Sequence, residues 1–295
     1  MINILRKISF LRWLKKKCYS LLSPLFCRIY CKFSSVDKLK ALARTYAHGY
    51  LKGNLSKTEE SNLVIILNKL KKMNEVDESI KWCQEMFDKG SAPTSPLEAA
   101  PKELVSEKQF KNVIDPDEKQ FDFFKLVKER RSVRTWIKKD VPTEALHQII
   151  QVAIEAPCSC NRQSWKFLIL SEKEKIEQIS IFRGEKFLAA APALVLIFCD
   201  VSLYPAIEKE YSPCMDAAVA AENILLAVQY LGLGGCLINA GKNSLVKTNR
   251  ENLYKEFGIP AQYELMCMVA IGYPDRVNKK PARNPYEKYI INFHA

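Results

Sequence analysis

The sequence is poor in the side chains that mark metal sites, with three histidines in 295 residues. The histidines lie far apart, and the ten cysteines form no paired C-x-x-C spacing, so no metal site is predicted. A Ser-His-Asp arrangement and the glycine-rich pattern of a P-loop are missing as well. These absences argue against metal-dependent, serine-nucleophile and P-loop chemistry.

Long apolar runs are also missing, since no stretch reaches the roughly 18–20 apolar residues that a transmembrane helix requires. The first residues are basic, but Ser23 and Pro24 break their apolar run and no small-residue cleavage site follows, so no secretory signal is predicted. Several of the scattered cysteines lie inside apolar runs such as ALVLIFCD (193–200), which indicates a reducing compartment. We therefore expect a cytoplasmic protein.

The net charge of +12 is unevenly distributed along the chain. Residues 1–40 hold ten Lys and Arg and one acidic residue, which leaves 35 basic and 32 acidic residues in the rest. The excess charge therefore belongs to an amino-terminal arm, and no nucleic-acid partner is predicted. A length of 295 residues suits one full domain plus an appendage.

The arm, residues 1–35, mixes bulky apolar residues with cations, including Trp13 among Lys15–Lys17 and Arg12. A helix of this composition is suited to an anionic membrane surface, so peripheral contact through residues 1–33 at the inner face of the membrane is one hypothesis. The alternatives are an arm that packs on its own protein and an arm without fixed structure.

Residues 36–116 form a second zone, predicted as a helical extension followed by a linker. Ser56 and Glu59 form a capping-box pattern, and the linker contains GSAPTSPLEAAP (90–101). Residues with helical spacing follow the capping box: Leu63, Ile66, Leu67, Leu70 and Met73.

The third zone, residues 117–295, has the alternation of helices and strands typical of an α+β fold. Thr143 is predicted to cap a helix. Residues 214–231 predict a nearly all-apolar helix that is covered on several sides. Three short apolar runs predict strands, namely WKFLIL (165–170), ALVLIFC (193–199) and ELMCMVAIG (264–272).

Four clusters in this zone are suited to one phosphate-bearing ligand. RRSVR (130–134) places three guanidinium groups and a hydroxyl together, and arginine binds phosphate oxygens bidentately. APCSCNRQSW (156–165) offers small and amide side chains directly before a strand. GLGGCLINAG (232–241) is a glycine-rich loop whose amides can approach a ligand closely, although Leu237 breaks the G-x-G-x-x-G dinucleotide pattern. KKPAR (279–283) adds further cations.

Together these clusters resemble the nitroreductase family of FMN-dependent enzymes. The similarity covers residues 118–295 and contains, in the family's order, RRSVR, APCSCNRQSWKF, AAAPALVLIFC, MDAAVAAENILLAVQYLGLGGCLIN and KKPARNP. The stretch from Asp216 to Asn239 is its most specific part. The resemblance implies an α+β fold with a sheet wrapped by helices. It also implies a homodimer with FMN at the interface and NAD(P)H as the electron donor.

The resemblance further implies which residues hold FMN. Arg130 and Ser132 are expected at the phosphate with Arg283 and Lys280, and Arg134 at the ribityl chain and the N1/O2 edge of the flavin. A cation at that edge stabilises the negative charge that reduction places there, so no side chain is needed as an acid or base. The expected cofactor residues are Arg130, Arg131, Ser132, Arg134, Pro157, Cys158, Ser159, Asn161, Lys186, Leu237, Ile238, Asn239, Ala240, Lys280 and Arg283.

Two of these clusters are expected to meet the flavin ring. Cys158, Ser159 and Asn161 would reach the flavin of the partner subunit, by resemblance. The backbone amides around Asn239 and Ala240 would face its N5 and O4 atoms.

Some positions depart from the family pattern. Ser164 stands where the family usually has proline, which we expect to loosen the loop without abolishing binding. Cys158 and Cys160 replace the commoner Ser, Thr or Ala, and they form either a redox-active pair or two small polar fillers. The flavin-edge residue that precedes the AP strand aligns ambiguously, and Lys186 is our assignment.

The sequence therefore predicts an oxidoreductase that passes electrons from NAD(P)H to an unidentified acceptor, nitroaromatic or quinone-like in vitro. One alternative is a flavin-dependent dehydrogenase acting on a polysaccharide-related or membrane-linked metabolite. It follows from a faint similarity of HGYLKG (48–53) to extensions on nitroreductase-like proteins of surface polysaccharide synthesis. The other alternative is a non-catalytic binding protein that keeps the fold and is tethered to the membrane.

Overall fold

The computed structural model describes residues 34–51, 56–88, 122–240, 247–276 and 279–291. It also describes four single positions between residues 24 and 31. Almost all of the predicted arm and the whole predicted linker lie outside the described residues, as do the last two residues of HGYLKG. The membrane hypothesis for the arm therefore stays a prediction. In the described stretches, no helix is both long enough and apolar enough to cross a membrane.

The chain divides into two compact units. The first combines Met1–Lys119 with two later segments, Pro157–Trp165 and Asp200–Asp216. The second unit consists of Gln120–Ala156, Lys166–Cys199 and Ala217–Ala295. The amino-terminal residues thus share a unit with two segments of the third zone, and the domain boundaries drawn from the sequence stay a prediction.

Three helices form the core of the first unit: α1 (Val36–Leu51), α2 (Lys57–Lys72) and α3 (Glu78–Asp88). The predicted capping box at the start of α2 is confirmed, because the amide of Glu59 donates to Ser56 Oγ and the amide of Ser56 donates to Glu59 Oε2. The apolar faces of the three helices meet in one cluster, which includes Leu39, Ala43, Leu63, Ile66, Leu70, Ile80 and Cys83.

Helix α1 also packs against two short 3₁₀ turns, Ser159–Asn161 and Val201–Leu203, which lie in the later segments of the same unit. The small side chains of Ala43 and Ala47 are fully buried, which allows close approach to α1. The amino-terminal helices therefore share their packing with residues from the third zone.

The remaining helices and the sheet come from the third zone. The helices are α4 (Phe123–Glu129), α5 (Thr143–Ile154), α6 (Lys173–Arg183), α7 (Ser212–Tyr230) and α8 (Lys247–Glu256). The strands are β1 (Trp165–Leu170), β2 (Ala193–Asp200), β3 (Gly234–Asn239) and β4 (Tyr263–Gly272). They form one sheet in the order β1-β2-β4-β3. The predicted α+β fold is confirmed, as are the three predicted strands.

The prediction of a glycine-rich loop at 232–241 is wrong, because most of this stretch is strand β3. It pairs antiparallel with β4, from Gly234 opposite Gly272 to Asn239 opposite Cys267. Gly234 is required by close packing, since a Cβ atom there would lie 2.7 Å from Cγ2 of Val133. The lack of a side chain at Gly234 therefore allows the segment that contains Val133 to pack against β3.

Two further expectations need correction. The predicted Thr143 cap is wrong, because Thr143 is the first residue of α5 and Pro142 takes the cap position without a side-chain hydrogen bond. Helix α7 is buried at Ala217, Ala220 and Ile224 but exposes Val219 to 38% on its opposite face. In the single chain, α7 is therefore packed against the protein on one side and not on several sides as predicted.

Candidate functional site

A cavity of about 350 Å³ opens beside β3 in the second unit. Its wall comes from the stretch after α4, the turn after α6 and β3 itself. The lining residues are Arg134, Arg183, Glu185, Phe187, Cys236, Leu237, Ile238 and Asn239. Small-molecule and cofactor sites occupy about 300–1,000 Å³, so this space is large enough for a ligand of that class.

Arg134 is placed in this wall by two buried neighbours. The amide of Val133 donates to Gly235 O at 3.0 Å, and Nε1 of Trp136 donates to Gly234 O at 2.9 Å. Val133 and Trp136 are buried, whereas the side chain of Arg134, which lies between them in the sequence, is exposed. Its guanidinium carbon lies 6.0 Å from the ring centroid of Phe187, across the cavity wall.

The turn after α6 supplies the second part of the wall. Gly184 ends α6 with a left-handed φ of 74°, a conformation that suits glycine at a helix C-terminus. The turn leaves Arg183 and Glu185 on the same side, with 4.0 Å between guanidinium nitrogen and carboxylate oxygen. Fully buried Leu188 then anchors the 3₁₀ turn that carries Phe187.

Strand β3 presents an edge to the cavity. The amide of Ala240 donates to Met266 O at 3.2 Å, in line with the ladder to β4. Because backbone groups alternate sides along an antiparallel strand, the amides of Leu237 and Asn239 point away from β4. Of the two amides predicted to face the flavin, that of Asn239 points away from β4 and that of Ala240 points toward it.

The pKa of the Cys236 thiol depends on the charged groups near this wall. Burial raises the pKa of its thiol; the charge of Arg134 lowers it, Glu185 raises it and Arg130 lowers it. The net direction is upward, so the thiol is neutral at pH 7. Both arginines therefore lie close enough to Cys236 to place positive charge at the wall.

The other predicted residues of the second unit lie around this wall or in the tail. Ser132 forms a parallel bridge with Gly235 of β3. Arg131 uses its guanidinium locally, donating to the carbonyls of Lys128 and Arg130 at 2.6 and 2.7 Å. Three predicted cations are exposed and are not part of the cavity lining, namely Lys186, Lys280 and Arg283.

The predicted loop residues Pro157, Cys158, Ser159 and Asn161 belong to the first unit. This loop has an unusual backbone, because Cys160, Asn161 and Gln163 all have left-handed φ angles of 51° to 53°. Such conformations cost of order 1–3 kcal/mol each in non-glycine residues, and asparagine adopts them most readily. The loop therefore needs fixed anchors.

Asp216, 3% exposed, is the main anchor on one side. Its Oδ1 accepts from the amide of Ser159 at 2.9 Å and from the Ser159 hydroxyl at 3.1 Å. Its Oδ2 accepts from the hydroxyl of Tyr204 at 2.6 Å, and its carbonyl accepts from Nε1 of Trp165 at 2.9 Å. One buried residue thus joins both ends of the loop, through its carboxylate at Ser159 and its backbone carbonyl at Trp165.

The expectation that Ser164, in place of proline, loosens the loop stays a prediction, but Ser164 has fixed partners of its own. Ser164 is fully buried, its hydroxyl hydrogen-bonds with the hydroxyl of Tyr204, and its carbonyl accepts from the amide of Asp200 at 2.9 Å. The side chain therefore fixes the loop by hydrogen bonding.

Cys158 and Cys160 are both free thiols. Burial raises the pKa of Cys158, and its sulfur accepts a hydrogen bond from the amide of Gln163 at 3.3 Å. A neutral, hydrogen-bonded thiol is a weak nucleophile. The structure therefore favours the filler interpretation for Cys158.

Sequence reasoning missed two groups of residues. Arg183, Glu185 and Phe187 line the cavity, and the helix stop at Gly184 in RGEKF was the signal that could have located them. Asp216 was included in the family motif without a role, and no local pattern indicates that it bonds Ser159, 57 positions away.

A model described as the nitroreductase family matches residues 127–182 and 180–273 of this chain. A relative from Archaeoglobus fulgidus, named for NADH dehydrogenase/NAD(P)H nitroreductase activity, is 30% identical over 155 residues, covering 51% of this chain and 84% of that protein. Iodotyrosine deiodinase of Thermotoga neapolitana is 29% identical over 189 residues, covering 55% and 93%.

Among solved structures, an FMN-dependent nitroreductase from Clostridium difficile R20291 is similar with a TM-score of 0.50 and 29% identity. The similarity covers 57% of this chain and 98% of that chain. This chain belongs to the nitroreductase family, and the prediction that it is an oxidoreductase of this family is confirmed.

Proposed function

We propose that this chain is an FMN-dependent NAD(P)H oxidoreductase whose cofactor binds in the cavity beside β3. The observation that carries the proposal is the composition of one wall. Arg134 supplies a cation, Phe187 supplies an aromatic ring, and residues 236–239 of β3 line the same space of about 350 Å³. The family supports the same cofactor and donor, since its members include NAD(P)H and FMN enzymes.

The lining fits the parts of FMN. A flavin ring is flat and largely apolar with a polar edge, and Phe187 and Leu237 offer apolar contact beside the backbone groups of β3. A phosphate needs cations that are not already used within the chain. Arg130 is near this wall, and the exposed cations of the tail, Lys280 and Arg283, are candidates to complete the phosphate site.

The chemistry that bound FMN would supply is hydride and electron transfer between a nicotinamide and a second substrate. The chain supplies position and charge for this chemistry. Arg134 holds a fixed positive charge at the wall, which favours the negative charge that reduction brings to the ligand. Cys236 keeps its proton and so adds no opposing charge. The role of this wall is therefore electrostatic.

A homodimer agrees with the exposed apolar surface of the second unit. Val152 and Ile154 of α5 are 39% and 50% exposed, and Val219 of α7 is 38% exposed. The two helices are neighbours, since Asn223 donates to the carbonyl of Val152 at 3.1 Å. Proteins of this family are typically dimeric, and we propose that a second copy covers this surface and brings residues 157–161 to the flavin.

The acceptor is proposed as a class only. A nitroreductase and a deiodinase are both relatives at similar identity, so family membership alone does not select the acceptor. We propose a nitroaromatic or quinone-like compound as the acceptor in vitro.

An absorbance spectrum of the purified full chain, recorded before and after anaerobic addition of NAD(P)H, tests the proposal. We expect a flavin spectrum that NAD(P)H bleaches and, after heat release, FMN on chromatography. Recovery of FAD would contradict the cofactor assignment. A chain that stays colourless after reconstitution with FMN would support the non-catalytic alternative.

A further inference from the structure

Arg44 of α1 is a guanidinium buried to 6% exposure in the first unit. Its Nη2 donates to the carbonyl of Arg162 at 2.8 Å, and its Nη1 donates to the hydroxyl of Ser79 at 3.0 Å. The Ser79 hydroxyl in turn donates to Asp77 at 2.6 Å. A side chain of the amino-terminal helices therefore binds the backbone of the loop between α5 and β1, 118 positions away.

The carbonyl that Arg44 binds lies within the strained part of the loop. Arg162 separates two residues with left-handed φ angles, Asn161 and Gln163. Its own side chain donates to Glu208 at 2.7 Å and to the carbonyl of Ser159 at 3.3 Å. The backbone at Arg162 is thus fixed from both sides, while Asp216 fixes the loop at Ser159.

A contribution to the stability of the fold is a poor explanation for the burial of Arg44 against this loop. Burying a guanidinium costs free energy that its hydrogen bonds return only in part, so a buried charge is a weak source of stability. What such a group does well is to fix the position of the atoms that it binds. Those atoms belong to the loop that the proposed function places against the flavin.

We propose that Arg44 is a positioning residue that holds residues 158–163 in the conformation that contacts FMN. This inference rests on the proposed function, because the loop meets the flavin only there. The buried arginine of the amino-terminal helices then sets how well the loop is organised before FMN binds.

The test compares Arg44→Met with Lys40→Met in the full chain. Lys40 lies one turn earlier on α1 and pairs with Glu75 and Asp77 at 3.2 and 2.9 Å, but these partners are outside the loop. Hydrogen–deuterium exchange of residues 158–163 without FMN measures the loop, and exchange of α2 reports whether the helices stay folded. Titration with FMN, followed by flavin fluorescence, measures cofactor affinity.

We expect Arg44→Met to speed exchange in the loop and to raise the FMN dissociation constant at least about tenfold, as for loss of a charged hydrogen bond. Exchange in α2 should be unchanged, and Lys40→Met should bind FMN within about twofold of the unaltered chain. If Arg44→Met does not fold, Arg44→Lys and Ser79→Ala decide. Ser79→Ala keeps the donor to Arg162 and should bind FMN normally, whereas Arg44→Lys should bind it more weakly.

Three results would overturn the inference, and each has a different meaning. Equal FMN affinity in the unaltered chain and the Arg44 variants would remove the positioning role alone. Absence of FMN binding in the unaltered chain would remove the proposed function and this role with it. Faster exchange in α2 as well as in the loop would show that Arg44 acts on the whole unit, which also contradicts a local role.

Discussion

Arg44 and Arg134 carry the same guanidinium group into opposite surroundings, one in each compact unit. Arg44 is buried, and two of its nitrogens bind groups of the chain itself. Arg134 is exposed at the wall of a cavity, between two buried neighbours that fix its backbone. An arginine near a candidate site can therefore have a structural role or be available to bind a ligand. The burial of its side chain and its hydrogen-bond partners distinguish the structural role from the binding role.

The first unit depends on buried polar anchors, and the largest effect is expected at Asp216. Asp216→Ala removes the acceptor for Ser159 and Tyr204, and hydrogen bonds to charged groups are worth about 1.5–3 kcal/mol each. We expect the free energy of unfolding to fall by about 3 kcal/mol or more, measured by urea denaturation. Asp216→Asn keeps one acceptor oxygen and should cost less. Equal losses for both variants would contradict this account.

The second unit depends on close apolar packing, which a change at Gly234 probes. Gly234→Ala adds a Cβ that lies within 2.9 Å of three side-chain atoms of Val133. Overpacking of this kind costs about 1–3 kcal/mol. Val133→Ala removes the two obstructing methyl groups and leaves Cβ at 2.8 Å, so the double variant should recover part of the loss that the two single variants together predict. Additive losses in a double-mutant cycle would contradict a clash with these methyl groups.

Arg134 lines the cavity and Arg130 does not, and changes at these two arginines should have different effects on FMN. Arg130→Ala should weaken FMN about ten- to a hundredfold and leave turnover nearly normal at saturating FMN, because a phosphate stays charged in both redox states. Arg134→Ala should lower the midpoint potential of bound FMN and slow its reduction even at saturation. FMN titration, redox titration and stopped-flow reduction measure these effects. Rescue of both variants by FMN would contradict the assigned roles.

The smallest effect is expected at Asp77, next to Arg44. Burial raises the pKa of Asp77, but hydrogen bonds from Ser79, Lys40 and Ile80 outweigh it and lower the pKa from 3.8 to about 2. A lowered folded-state pKa adds stability above pH 3.8 that is lost as the pH falls toward 2. Because its side chain is 47% exposed, the gain is under about 1 kcal/mol. Asp77→Asn should flatten this part of the stability profile in acid denaturation.

Much of the second unit could be predicted because its signals are local. Strand length, apolar runs and the motif order each depend on neighbouring residues, so β1, β2 and β4 were located and the family was recognised. The capping box at Ser56 is likewise a pattern of four residues. β3 was misread as a loop because its glycines permit both structures and only pairing with β4 selects the strand.

The fold class and the helices of the extension follow from local sequence patterns, and the family resemblance singles out Arg134, which lines the cavity. Tertiary structure alone decided that Arg44 meets Arg162, that Asp216 meets Ser159, and that Ser164 secures its loop. The physical reason is that a buried polar group must find a partner wherever the packed chain provides one. Sequence distance places no limit on that partner, and the composition around Arg44 resembles that of any amphipathic helix.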